Sequence, residues 1–259
     1  MGLICGVVLA LAAKFMEVPK DKVAERISAV LPGANCGGCG FSGCDGYAAA
    51  LSKGGVAPSL CSPGGQSVAE DIADILGVKA EAAGYKTALV RCLGNRDITT
   101  KKLDYRGVPT CAAAAQLFAG QGMCPYGCLG FGDCAKTCPY HAIRICEEVA
   151  VINPQKCKGC SMCVAACPKK LIVFVPAETR SVVRCMNSDR GGETRKVCAN
   201  GCIGCTRCVK ICEFGAVTVE NNLAHVLSEK CNGCGKCAEV CPTQCISILE
   251  IKRNNSVAP

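Results

Sequence analysis

Two stretches of the chain read C-x2-C-x2-C-x3-C-P: Cys157, Cys160, Cys163 and Cys167 before Pro168, and Cys231, Cys234, Cys237 and Cys241 before Pro242. In such a run three thiolates bind one [4Fe-4S] cluster and the fourth binds its neighbour, so each run requires an upstream partner. Cys134 and Cys138 stand 29 residues before Cys163 and Cys167, and Cys208 and Cys212 stand 29 residues before Cys237 and Cys241. The chemistry is single-electron transfer, because a cluster held by four thiolates has no open position for a substrate.

The two cluster pairs are copies. Cys124, Cys128, Cys134, Cys138, Cys157, Cys160, Cys163 and Cys167 all recur as cysteines 74 residues later. In the second copy, Cys202, Cys205, Cys208 and Cys241 form one set and Cys212, Cys231, Cys234 and Cys237 the other; Cys198 is spare, with replacement of Cys205 as its alternative use. In the first copy, Phe131 stands where Cys205 would be matched. Register then assigns Cys124, Cys128, Cys134 and Cys167 to one cluster and Cys138, Cys157, Cys160 and Cys163 to the other. Pro139 of the first copy is Glu213 in the second, which is expected to alter local charge.

A further group, Cys36, Cys39, Cys44 and Cys61, has the spacing C-x2-C-x4-C-x16-C. Glycines between the first three thiols permit tight turns that aim N–H groups at bound sulfur. This reads as a [4Fe-4S] loop with a remote fourth ligand. A four-cysteine zinc knuckle is the competing assignment, but such knuckles usually pair two C-x2-C turns. Five clusters use 20 cysteines and leave Cys5, Cys92, Cys111, Cys146, Cys185, Cys198 and Cys245. These read as small buried hydrophobes, or a sixth metal site built around Cys92 and Cys111.

Among the elements that must position these thiols, residues 21–31 and 66–76 carry apolar positions at helical spacing. The stretches AIRICEEVAVI and AVTVENNLAHV, between the cysteine runs, read as hairpins. The fold class is α+β, divided into an N-terminal membrane anchor (1–20), a [4Fe-4S] domain (21–80), a linker (81–122), a first dicluster module (123–175), a connector (176–197), a second module (198–250) and a tail (251–259). The anchor rests on the apolar run from Gly2 to Ala13, extended by Phe15 and Met16, with a signal peptide and a core helix as alternatives. At 1.5 Å per residue the run is short for a hydrocarbon core of about 30 Å. Lys14, Lys20, Lys22 and Arg26 follow it and place the remainder on the cytoplasmic side.

Composition narrows the classes. Of 259 residues 27 are Cys and none is Trp, and aromatic residues are 4%, which rules out a large aromatic core. An odd cysteine count in a chain of this length argues against a disulfide scaffold, and a mean hydropathy of +0.27 argues against disorder. No phosphate-binding loop or dinucleotide fingerprint is present. The only histidines, His141 and His225, have no partner arrangement that marks a catalytic base. The formal charge of +8 counts Cys as neutral. Five thiolate-bound clusters at about −2 each bring the total to about −2, which removes the case for a nucleic-acid partner.

The apolar N-terminus, then LPGANCGGCGFSGC with a distant Cys before PGG, then GCLGFGDCAKTCP and GCIGCTRCVKIC heading two ferredoxin modules, resembles the B subunits of the Rnf complex, the ion-translocating ferredoxin:NAD+ oxidoreductases. The resemblance covers essentially the whole chain. It implies an electron-transfer component of a redox-driven Na+ or H+ translocase at the bacterial cell membrane, taking electrons from reduced ferredoxin and relaying them through five [4Fe-4S] clusters to the other Rnf subunits (A, C, D, E and G). Flavin and nicotinamide sites would then lie elsewhere. Lys169 and Lys170 form a basic patch able to meet an acidic ferredoxin. A free-standing soluble polyferredoxin is the alternative within the same chemistry, and a zinc-stabilised interaction module the alternative outside it.

Overall fold

A computed structural model describes residues 21–80, 84, 86–176 and 178–250. The anchor expected over 1–20 and the tail over 251–259 lie outside the described residues. The chain divides into two compact units, Met1–Ala82 and Ala83–Pro259.

The first unit is helical. Helix α1 (Lys22–Val30) starts where Asp21 accepts the N–H groups of Val23 and Ala24, satisfying donors that a helix start leaves open. Helix α2 (Cys44–Lys53) follows the glycine-rich cysteine loop, and α3 (Gly65–Leu76) ends on Gly77 in the left-handed conformation. Ile27, Tyr47, Ala48, Leu51 and Ile72 are buried between them. Both helices expected from apolar spacing are present, and their apolar faces form this core.

The second unit repeats one motif. Strand β1 (Lys86–Val90) is followed by α4 (Cys111–Gln116), α5 (Asp133–Lys136), the hairpin β2 (Ile143–Cys146) and β3 (Val149–Ile152), α6 (Met162–Ala166) and β4 (Ile172–Pro176). Then come β5 (Ser181–Val183), α7 (Gly191–Val197), α8 (Arg207–Ile211), the hairpin β6 (Val217–Glu220) and β7 (Leu223–Val226), α9 (Lys236–Glu239) and β8 (Ile246–Ile248). In each copy the first strand pairs antiparallel with the last, β1 with β4 and β5 with β8, while the middle two form the hairpin. The stretches read as linker and connector thus each contribute a strand to the module that follows. Those strands are the outer halves of non-local pairs, which a hairpin signal in sequence does not reveal.

The hairpin tips lie close over the cysteine loops. Gly130 and Gly204 have φ of +77° and +62°, and a Cβ on them would sit 2.7 Å from Glu148 O and 2.9 Å from Asn222 O. These two positions require glycine for both conformation and space.

Candidate metal centres

In the first unit Cys36, Cys39, Cys44 and Cys61 converge. Burial pushes the Cys61 thiol up, and Cys44, Cys36 and Cys39 are near enough to push it further. Cys44 opens α2, and its N–H donates to Asn35 Oδ1 at 2.8 Å. Tyr47, 1% exposed, donates its hydroxyl to Ala57 O at 2.7 Å and accepts from Leu60 N–H at 3.3 Å. It thereby pins the return segment that brings Cys61 back to the loop. Tyr47→Phe is expected to cost about 1 kcal/mol through these lost bonds and to speed loss of iron from this site. Thermal melting and timed chelator release would show both, and a variant indistinguishable from the parent would contradict the assignment.

Three sets in the second unit each surround one space. Cys138, Cys157, Cys160 and Cys163 line a space of about 330 Å³. Cys202, Cys205, Cys208 and Cys241 line one of about 320 Å³. Cys212, Cys231, Cys234 and Cys237 line one of about 340 Å³. Among the described residues, no three His, Cys, Asp or Glu side chains close on a single-ion site. The thiols stand in groups around shared spaces instead.

The fourth set differs from the expectation. Cys128, Cys134 and Cys167 share a space of about 390 Å³ with Cys111, and Cys124 is absent from its lining. The reason is an insertion. Cys92 precedes Cys124 by 32 residues, whereas the corresponding Cys185 precedes Cys198 by 13. The longer segment folds back as α4, capped by Thr110, whose hydroxyl accepts Ala113 N–H at 3.2 Å. It is also tied to α5 by Asp133, which accepts Ala112 N–H at 3.0 Å. Phe131 packs against this segment, its ring 5.5 Å from that of Tyr105. Cys111 thus stands where the second module presents Cys205, and Cys124 stands with Cys92, Cys185 and Cys198 at a different place. Cys198 likewise does not line the space of Cys205.

Backbone donors reach the sulfurs in matched pairs. Ala142 N–H points at Cys138 Sγ at 3.4 Å and Ala216 N–H at Cys212 Sγ at 3.3 Å. Ala224 N–H reaches Cys202 Sγ at 3.4 Å, and Ala150 makes the same bond to Cys128. Such donors stabilise anionic sulfur and raise a cluster's potential. Burial pushes Cys134 and Cys163 up to about 12, so these thiols must release protons when metal binds.

Cys245 adds a donor in the second module alone, since Leu171 occupies the matching position. Its sulfur lies 3.6 Å from Cys241 Sγ. Hydrogen bonding from Cys245 holds Cys241 down to about 5 and Cys202 down to about 6, while the Cys245 thiol itself is pushed up. Cys245→Ala is expected to keep the iron content and lower the potential of this cluster, because a bond to its sulfurs is lost. An EPR-monitored redox titration reads the shift; an unmoved potential would contradict it.

The charge change expected at Glu213 is offset. Lys236 donates to Glu213 Oε1 at 2.6 Å, and the first module has Met162 where the second has Lys236. Lys169 turns toward the thiols, lining the Cys111 space and donating to Pro125 O at 2.6 Å. Lys170 remains exposed.

Two modules of one repeat, each framing cysteine sets with aligned backbone donors, and a separate helical unit with its own set define an iron-sulfur electron-transfer protein of the multicluster ferredoxin class. Family models agree: an Fe-S cluster domain matches residues 31–63 and 4Fe-4S dicluster domains match 156–216 and 196–248. The match over 156–216 straddles the two modules, because the cysteine run recurs in both. The B subunit of the Na(+)-translocating ferredoxin:NAD(+) oxidoreductase complex of Acetobacterium woodii is 43% identical over 95% of this chain and 74% of its own length. The B subunit of the ion-translocating oxidoreductase complex of Methanosarcina acetivorans is 36% identical over 96% and 94%. That of the proton-translocating ferredoxin:NAD(+) oxidoreductase complex of Clostridium ljungdahlii is 40% identical over 87% and 80%. The chain belongs to the family of Rnf complex B subunits, and its role is electron transfer. No described helix is long and apolar enough to cross a membrane.

Proposed function

We propose that this chain accepts electrons from reduced ferredoxin and relays them, one at a time, to partner subunits of a membrane-bound ion-translocating ferredoxin:NAD+ oxidoreductase. What supports the reading is the grouping of twenty thiols, taken as five ligand sets: 36/39/44/61, 111/128/134/167, 138/157/160/163, 202/205/208/241 and 212/231/234/237. Bound there, [4Fe-4S] clusters supply reversible one-electron storage. The chain's own residues contribute four sulfurs per site, backbone N–H groups that hold charge on those sulfurs, and an apolar packing that buries half of these thiols. No set has an open position, so the chemistry on nicotinamide belongs to other subunits. The donor, the remaining subunits as partners and attachment to the cytoplasmic face of the bacterial membrane are parts of the same proposal.

Anaerobic mixing with reduced ferredoxin tests it. The visible absorption of the clusters should bleach and reduced-cluster EPR signals should appear, while NADH without the other subunits should leave the chain oxidised. Clusters that dithionite reduces and ferredoxin does not would sink the donor assignment. Recovery of the full chain in the supernatant after membranes are pelleted would favour a free-standing carrier.

A further inference from the structure

Four thiols outside the five sets also face one space. Cys92, Cys124, Cys185 and Cys198 line a partly open space of about 480 Å³, with Cys128 also at its wall. Two come from each module: Cys92 and Cys185 directly follow Val-Arg at the ends of β1 and β5, and Cys124 and Cys198 are repeat equivalents. The extended segment at Ile98–Lys102 holds the halves together. Ala199 N–H donates to Ile98 O at 3.1 Å and Met123 N–H to Thr100 O at 2.8 Å, so one segment positions both Cys198 and Cys124. A Cβ on Gly94 would lie 3.5 Å from Cys198 Sγ and 3.7 Å from Cys92 Sγ, so this turn runs close beside a sulfur from each module.

The space is prepared for negative charge. Arg91 and Arg184, both half-buried, line it, and each is fixed by the opposite module: Arg91 Nε donates to Val183 O at 3.1 Å and Arg184 Nε to Val90 O at 2.6 Å. Among the described residues neither forms an ion pair with a carboxylate. Two guanidinium groups held half-buried beside four thiols are costly unless an anion lies between them. A cubane core of charge 2+ with four thiolates carries about −2, which matches two arginines. Donors to the sulfurs are also in place. Cys128 N–H points at Cys92 Sγ at 3.5 Å, Cys202 N–H at Cys185 Sγ at 3.3 Å, and Asn187 Nδ2 at Cys124 Sγ at 3.7 Å.

We propose that Cys92, Cys124, Cys185 and Cys198 bind a sixth [4Fe-4S] cluster that bridges the two modules and carries electrons between them. The inference rests on the reading of the chain as a relay. Its place follows from the same hydrogen bonds: Cys128 is in the 111/128/134/167 set and Cys202 in the 202/205/208/241 set, so one bond links a ligand of the bridging site to a ligand of each neighbour. The second unit then holds a continuous row of five clusters with the bridging one at its centre. In each step the cluster gains one electron from the cluster on one side and returns it to the cluster on the other, with no bond made or broken.

The test is iron, sulfide and zinc analysis of anaerobically purified full-length protein, with spin integration after full reduction. About 24 Fe and 24 sulfide per chain and no zinc are expected. Cys124→Ala and Cys198→Ala should each remove about four Fe, and the double variant should lose no more than either single one, because all act on one cluster. About 20 Fe in the parent would overturn the bridging cluster while leaving the relay intact. One zinc per chain would overturn it too, as would additive losses in the double variant; a chain without iron would instead refute the relay itself. Should the variants fail to fold, the parent's integrated spins decide between about six clusters and about five.

Discussion

Cys111→Ala is expected to remove about four Fe and four sulfide from the chain, and Phe131→Cys in the same background should restore them. Cys111 reaches its site only through the inserted segment, and Phe131 occupies the position at which the second module presents Cys205. A thiol at 131 would re-create the arrangement of the second module, in which the ligand comes from the loop before α8. Rescue distinguishes ligation from a merely structural effect of truncating α4. If C111A keeps its full iron, Cys111 is not a ligand. If F131C restores folding without iron, the equivalence of the two loops is wrong.

Removing the clusters should dissolve the second unit. Cys134, Cys138, Cys157 and Cys163 are core residues of the first module, packed with Ala88, Val90 and Leu171. Cys185, Cys202, Cys208, Cys237 and Cys245 play the same part in the second. Each sheet has only two strands of three to five residues, and isolated pairs of that size are marginal in water. Emptying a site leaves a core void with polar thiols around it, on the scale of large-to-small core substitutions at about 3–5 kcal/mol per site. Iron chelation under mild oxidation should therefore abolish the far-UV circular dichroism of the strands cooperatively, and anaerobic iron and sulfide should restore it. An apoprotein that keeps its spectrum and a sharp melting transition would contradict this account.

Only part of the site is legible in the sequence. The runs ending in Cys-Pro can be read directly, because their ligands are close in sequence and their spacing is itself the geometry of a cluster loop. Register assigns Cys124 because it takes the nearest upstream thiol, whereas the thiol that lines the space of Cys128, Cys134 and Cys167 is Cys111, 17 residues before Cys128. A usable signal is present: Val-Arg-Cys occurs at both 90–92 and 183–185, and Cys124 is the repeat partner of Cys198. The fold places both members of that pair at one space, a symmetry that the register assignment does not use. The strands at 86–90 and 181–183 are hidden for a related reason, since each pairs with a strand some sixty to ninety residues away.

The amino-acid sequence by itself determined the chemistry, the repeat and the ligands that lie within one loop or at one constant offset, because a cysteine's spacing along a short turn limits where its sulfur can go. Only the tertiary structure decided which distant thiols meet. That choice depends on an insertion folding back over Phe131 and on two modules turning their Val-Arg-Cys strand ends toward one space, and both are set by packing between segments whose separation in sequence carries no spatial information.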